Sequence, residues 1–340
     1  MLGGPPTAGP VVLALICGTC LLLFQLLVDN AIIAGADESS GDNAGQSKLT
    51  CTSKSQYDGG LAFIHVTKAG GTSLRSYFRS LAEECGYKNH VEEAPFWKDM
   101  SDDERAAVQV YGGANHLGFF DLLSSWPGHF YPNPNAKAHW WQRKLRASRG
   151  DASDMTNNVA YFTQLRNPWE RARSDYFYAK GLGPIHHLHE QTKQFTVDEW
   201  IQNTQDGGML SYFVPPADGE TEQRSCCFDQ TDLENAKQLL KNDFAVVGLV
   251  EEPGMTTAVL QCRVPWINQA IRRNSALSQL DHLNESPMQA ESTASHATPV
   301  DEADIAKHFP LDWELYLFAK KLLNERHADC VKRGIIQDKK

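Results

Sequence analysis

A lysine that precedes two glycines and two hydroxyl residues is the clearest candidate for chemistry in this chain. Lys68 is followed by Gly70, Gly71, Thr72 and Ser73. Glycines let backbone N–H groups turn toward a bound group without the steric penalty of a Cβ atom. The N–H groups at a helix start also carry a partial positive charge. The arrangement therefore predicts a site for a phosphate group, with the lysine adding a full positive charge.

The residues around this group predict a strand, a loop and a helix. Residues 61–66 form a short apolar run with β-branched side chains, which is typical of a buried strand. Thr72 and Ser73 are expected to cap a helix that starts near Leu74. In a Walker A loop the lysine comes after the glycines and next to the hydroxyl residue, whereas Lys68 comes first. The order therefore favours a phosphate loop of another kind.

A second strand-to-helix segment carries an arginine and a serine. Residues 159–165 have the composition of another buried strand, and Pro168 suits the first turn of the helix expected to follow. Arg166 stands at the strand end, and Ser174 lies eight positions later. We interpret this pair as a second phosphate site. Residues 244–252 predict a third central strand.

The two segments together resemble a known enzyme family. The lysine–glycine–hydroxyl order after an apolar strand resembles the 5′-phosphosulfate loop of the membrane-anchored carbohydrate sulfotransferases that use 3′-phosphoadenosine-5′-phosphosulfate (PAPS). The arginine and serine match the family's 3′-phosphate motif in type and spacing. The resemblance is to the group that includes heparan sulfate and uronyl 2-O-sulfotransferases and chondroitin sulfotransferases. It assigns nucleotide binding to Lys68, Ala69, Gly70, Gly71, Thr72, Ser73, Arg166 and Ser174.

The resemblance implies an α/β fold of the P-loop-like sulfotransferase type, with a central parallel sheet flanked by helices. It implies transfer of a sulfuryl group from PAPS to a hydroxyl group of a carbohydrate acceptor, and this scheme requires no metal. Charge develops on the leaving phosphate during such a transfer, so positioning and electrostatics carry most of the catalysis. Lys68 is expected to stabilise that charge.

The acceptor hydroxyl needs a general base, and His116 is the candidate. It follows a strand-like run that breaks at Gly112 and Gly113, between the two nucleotide motifs. In the family a histidine after a similar segment acts as the base, although there the glycine and histidine are commonly adjacent. An imidazole that titrates near neutrality suits this role. His65 and His90 are the lesser candidates.

A basic segment rich in tryptophan is the candidate acceptor site. The net charge of −10 argues against nucleic acid as a partner. Residues 136–150 contain no acidic residue, and aromatic faces beside basic groups suit an anionic sugar. A solvated helix face is the alternative. The candidates are Trp140, Trp141, Arg143, Lys144 and Arg146.

Hydropathy and composition divide the chain into four parts. We expect a short tail at residues 1–9, a transmembrane signal-anchor at 10–28, a flexible stem at 29–58 and a catalytic domain at 59–335. A cleaved secretory signal is the alternative, because residues 34–36 resemble a cleavage site. The family resemblance implies a single-pass type II protein of the Golgi membrane with a lumenal catalytic domain. Secretion is the alternative.

The cysteines agree with a lumenal location. Cys17 and Cys20 lie in the apolar segment, and the six that remain of the eight permit three disulfides in 15 pairings. Cys226 and Cys227 are adjacent and are expected to take two different partners. A buried, unbridged role for some of the six is the alternative.

Two other functions remain open. A nucleotide kinase or NTPase would use a similar phosphate loop, although the usual Gly-Lys-[ST] order is lacking. A catalytically inactive, membrane-tethered glycan-binding relative would keep the fold without turnover. The sequence also leaves open whether the chain forms a homo-oligomer.

Overall fold

The computed structural model describes residues 51, 60–91, 96–113, 116–125, 159–186, 188–215, 224–278 and 300–336. The expected N-terminal anchor and stem lie outside these residues, apart from Cys51. The basic segment with its two tryptophans also lies outside them. In the part of the chain that is described, no helix has the length and apolar character needed to cross a membrane.

The described residues form an α/β structure around a five-stranded, all-parallel sheet. Its strands are β1 (Leu61–Ile64), β2 (Asn89–His90), β3 (Val110–Tyr111), β4 (Ala160–Leu165) and β5 (Phe244–Leu249). Their spatial order is β2-β3-β1-β4-β5. The prediction of an α/β fold with a central parallel sheet flanked by helices is confirmed.

Helices connect the strands and cover the sheet. They are α1 (Gly71–Cys85), α2 (Asp102–Ala106), α3 (Phe119–Ser125), α4 (Pro168–Gly181), α5 (His189–Gln194), α6 (Val197–Asn203), α7 (Gln230–Asn242), α8 (Pro253–Arg263), α9 (Pro265–Arg273), α10 (Glu302–His308) and α11 (Pro310–Lys332). Short 3₁₀ helices occur at Trp97–Asp99, Gly183–Ile185, Leu210–Phe213 and Ser275–Ser278.

The three predicted strands are present, but only β1 and β4 are central, because β5 is the last strand at one edge of the described sheet. Every residue of β1, β4 and β5 is buried, as expected for parallel strands covered on both faces. In register, Leu61 of β1 lies opposite Val110 of β3 on one side and Ala160 of β4 on the other. β1 and β5 end earlier than predicted, because the backbone leaves the sheet after Ile64 and after Leu249 to form loops.

Two buried disulfides cross-link the fold. Cys51 pairs with Cys85 at the end of α1, and Cys262 of α8 pairs with Cys330 of α11. The expectation that Cys226 and its neighbour take two different partners is wrong, because the other four described cysteines pair among themselves. The two adjacent cysteines are both exposed and lie just before α7.

Candidate functional site

The carboxyl ends of three neighbouring strands bring the predicted site residues to one edge of the sheet. β3, β1 and β4 lie side by side and run in the same direction. His116 follows β3, Lys68 follows β1 and Arg166 follows β4. From β1 the chain continues to β2 at one edge of the sheet, and from β4 it continues to β5 at the opposite edge. Such a change of direction opens a crevice in which parallel α/β sheets bind ligands.

The loop after β1 has an unusual backbone. Lys68 has φ 63° and Gly70 has φ 76°, both in the left-handed region. For lysine this conformation is uncommon and costs free energy, and such residues concentrate at ligand sites. The amide of Gln164 in β4 donates to the carbonyl of Ala69 at 3.0 Å. A Cβ atom at position 70 would lie 2.7 Å from that amide, so this position requires glycine.

Helix α1 begins earlier than the sequence indicated. Its first residue is Gly71, and Gly70 is the N-cap without any side-chain cap. The prediction that Thr72 and Ser73 cap a helix starting near Leu74 is therefore wrong, because the left-handed Gly70 already turns the chain into the helix. Both hydroxyl residues stand in the first turn, where backbone N–H groups have no acceptor within the helix. Neither hydroxyl group is at the N-cap position, which Gly70 occupies.

The Lys68 side chain reaches across the loop to α4. Its Nζ lies 3.5 Å from the centroid of the Tyr178 ring, a cation–π contact. Burial lowers the pKa of Lys68 to about 8, the nearby Asp175 carboxylate opposes this shift, and the Arg166 guanidinium adds to it. A lysine ammonium that is this poorly solvated is stabilised when an anion binds beside it.

Arg166 is held beside the loop. Its Nη1 donates to the backbone oxygen of Lys68 at 3.3 Å, and the Glu170 carboxylate lies 4.0 Å from its Nη2. Burial lowers the pKa of Arg166. Ser174 is half-buried on α4, one turn before Tyr178, and residues at this spacing share a helix face. Arg166 therefore lies at the loop, and Ser174 lies on the α4 face that carries the ring in contact with Lys68.

His116 lies against a second histidine. The ring centroids of His65 and His116 are 4.4 Å apart. His65 is buried, and its pKa is well below the ordinary value because of burial first and the nearby His116 second. His65 is therefore neutral at neutral pH and separates the candidate base from the start of α1. His90 lies in β2 at the outer edge of the sheet and packs against Trp97.

Sequence reasoning missed three side chains that shape the loop. They are Gln164, Tyr178 and Tyr212. The Tyr212 hydroxyl accepts from the Thr67 N–H at 3.4 Å and donates to the Thr67 Oγ1 at 3.4 Å. A polar side chain inside an apolar strand was a usable signal for Gln164. Tyr212 comes from a distant 3₁₀ helix, and nothing local in the sequence indicated its contact with the loop.

A buried carboxylate holds the segment that carries Tyr212. Asp312 is fully buried and accepts from the backbone N–H groups of Met209 and Leu210, each at 3.1 Å. Its Oδ2 lies 3.7 Å from a nitrogen of Arg171 in α4. Burial raises the pKa of Asp312, and the Arg171 guanidinium only partly offsets this. The network joins α4 and α11 to the segment that contacts the loop.

No protein-family model matches the chain, and a search of curated proteins finds no match. Among the described residues, no three His, Cys, Asp or Glu side chains are grouped so as to hold a metal ion. The geometry of the loop and its neighbours is therefore what supports a functional proposal.

Gly71→Ala is expected to lower the free energy of unfolding by about 1–3 kcal/mol. A Cβ atom at this position would lie 1.6 Å from Nε2 of His65, so the buried imidazole would have to move. Chemical denaturation measures the difference. Gly254→Ala in α8 is the control, because a Cβ atom there meets no heavy atom within 4 Å. Equal losses of stability in the two variants would contradict the predicted clash.

Proposed function

We propose that this protein is a PAPS-dependent O-sulfotransferase that acts on a hydroxyl group of a carbohydrate. One observation carries the proposal. At one edge of the parallel sheet, Arg166 donates to the backbone oxygen of Lys68 beside a glycine-lined helix start, and His116 packs against His65 at the end of β1. This arrangement suits a ligand with two phosphate groups and a reaction that needs a base. We assign the fold, on the same grounds, to the P-loop-like sulfotransferase type.

The residues fit the donor. The left-handed Gly70 turns the chain into α1, whose first N–H groups suit a 5′-phosphate. Arg166 and Ser174 would hold the 3′-phosphate. PAPS, when bound, would supply a sulfuryl group whose bond to phosphate breaks as its bond to the acceptor oxygen forms. Lys68 stabilises charge at the leaving oxygen, and His116 accepts the acceptor's hydroxyl proton.

The location proposed for this activity is the Golgi lumen. Disulfides persist in oxidising compartments of the secretory pathway, and the described residues include two. Residues 10–28 would anchor the chain in the membrane as a type II protein, or direct its secretion if they are cleaved. A carbohydrate is the proposed acceptor.

Calorimetric titration of the full-length chain in detergent with adenosine 3′,5′-bisphosphate, the expected product, tests the proposal. Loss of a hydrogen-bonded charge should weaken binding by about 10- to 100-fold in Arg166→Ala. Arg272→Ala, at an exposed site on α9, is the control and should bind as the wild type does.

Three other results would point elsewhere. Stronger binding of ATP with Mg²⁺ would favour a nucleotide kinase or NTPase. Binding of adenosine 3′,5′-bisphosphate by a protein that never transfers sulfate would favour the inactive glycan-binding relative. No binding by folded protein would overturn the assignment of this site to the nucleotide.

Binding of adenosine 3′,5′-bisphosphate is expected to weaken as pH rises through 8. The pKa of Lys68 is about 8, so its ammonium form is lost above that pH. Phosphate groups have already lost their second proton near pH 6, so their charge stays constant. Affinity should therefore fall by up to about 10-fold per pH unit. Titrations between pH 7 and 9.5 measure the change in affinity. This range extends about 1 unit or more on each side of the pKa of Lys68.

Lys68→Arg is the matched control for this pH dependence, because a guanidinium stays charged throughout the range. Its affinity should stay constant where that of the wild type falls. A parallel fall in both proteins would show that a group other than Lys68 is responsible.

A further inference from the structure

Two adjacent cysteines form an exposed turn just before α7. Cys226 and Cys227 are both exposed, and their Sγ atoms lie 2.7 Å apart. Cys227 has φ 63°, an uncommon conformation for a residue with a side chain. The turn thus holds two thiol groups against each other at the surface, within reach of a small thiol or disulfide in solution.

The turn is held from both sides. The Arg224 guanidinium donates to the Cys227 carbonyl oxygen at 2.7 Å and lies 3.0 Å from the Asp232 carboxylate in α7. It also stacks over the ring of Phe228, 5.1 Å from its centroid. The same ring fills the space beside Gly207, where a Cβ atom would lie 2.4 Å from it. The two sulfur atoms are therefore positioned by their surroundings and not only by being neighbours in sequence.

We propose that Cys226 and Cys227 form a disulfide with each other and constitute a reversible redox site. The oxidant is a disulfide, either glutathione disulfide or that of an oxidoreductase. The thiolate of one cysteine attacks the oxidant and forms a mixed disulfide, which releases the first thiol. The thiolate of the other attacks the protein sulfur of that mixed disulfide and releases the second thiol. Two protein thiols are oxidised, and one disulfide is reduced to two thiols.

The location of the pair indicates a chemical and not a stabilising role. The stabilisation by a disulfide increases with the logarithm of the length of chain it closes, and a bridge between neighbours closes almost none. The other two disulfides close 34 and 68 residues and are buried, so they are the ones that stabilise the fold. Exposed or strained disulfides have higher reduction potentials than buried ones. We therefore expect the surface pair to be reduced first.

Peptide mapping of the full-length chain tests the proposal. The protein is equilibrated in glutathione buffers of graded potential, its thiols are alkylated in denaturant, and it is digested with trypsin. Cleavage after Arg224 and Lys237 gives one peptide, residues 225–237, that contains both cysteines. In oxidising buffer this peptide should carry no alkyl group and should be lighter than the dithiol form by two hydrogen atoms. In more reducing buffers that still leave the other two disulfides closed, the same peptide should carry both alkyl groups.

Single substitutions separate the two steps. In Cys226→Ser and in Cys227→Ser the remaining thiol should retain glutathione, because no neighbouring thiol can displace it. Three outcomes would overturn the proposal: a wild-type peptide that keeps both thiols in every buffer, one that retains glutathione at equilibrium, or one cross-linked to another peptide. Reduction only together with the two buried disulfides would overturn its reversible character.

Discussion

Lys68→Ala is expected to transfer sulfuryl groups from PAPS with a kcat about 100- to 1,000-fold lower than the wild type, the range seen when one group that stabilises transition-state charge is removed. The lysine is poorly solvated and precedes the helix start, so under the proposed function it would stabilise charge at the leaving oxygen without first losing a full shell of water. Release of adenosine 3′,5′-bisphosphate in the presence of desulfated heparin or chondroitin measures the rate.

Stability provides an internal check on this variant. Burial lowers the pKa of Lys68, so its charge costs the folded state free energy at neutral pH. The alanine variant should therefore melt no lower than the wild type apart from the small loss of the contact with Tyr178. Lys321→Ala, at an exposed site on α11, should change neither rate nor stability. Full activity in Lys68→Ala would remove the basis for a sulfotransferase.

The parts of the site that were predictable are those encoded within short segments. The strand, loop and helix around Lys68 could be recognised because a buried strand, a pair of glycines and hydroxyl residues follow one another within a few positions. The same holds for Arg166, where a strand leads directly to Pro168 and the start of α4. Parallel pairing of the strands then brings the two segments together, because parallel strands share the edge at which they end.

The parts that were missed depend on residues far apart in sequence. Gln164 donates to a carbonyl 95 positions away, and Tyr212 contacts Thr67 at a separation of 145. Contacts of this kind follow from the packing of helices on the sheet and leave no local pattern. The start of α1 was missed for a different reason. Hydroxyl residues commonly cap helices, but here a glycine in the left-handed conformation takes that place.

The cysteines show the same limit. Composition indicated an oxidising compartment, but it could not choose among pairings because disulfide geometry depends on distances set by the fold. Cys51 and Cys262 each find a partner in a helix that packs nearby. What remains is the adjacent pair, whose sulfur atoms face each other because of a turn that the sequence did not indicate.

Asp312→Ala is expected to lower the free energy of unfolding by about 3–5 kcal/mol, the cost of removing one partner from a buried ion pair. The carboxylate is fully buried and is the acceptor for two backbone N–H groups, those of Met209 and Leu210. Its removal leaves these donors unsatisfied and leaves the Arg171 guanidinium without the anion beside it. Urea denaturation at neutral pH measures the loss, with Asp329→Ala, at an exposed site on α11, as a control within about 0.5 kcal/mol of the wild type.

Two further variants distinguish the hydrogen bonds from the ion pair. Asp312→Asn keeps a carbonyl oxygen that can accept from both N–H groups, so its loss should be smaller than that of the alanine variant. Combining Asp312→Ala with Arg171→Met should cost less than the sum of the single changes by about 0.5–3 kcal/mol, because the second change removes the charge that the first leaves unpaired. Additive losses, or a loss below about 1 kcal/mol in Asp312→Ala, would show that this network does not hold the segment in place.

Because that segment carries Tyr212, which contacts Thr67, the asparagine variant should also bind adenosine 3′,5′-bisphosphate more weakly than the wild type while still folded.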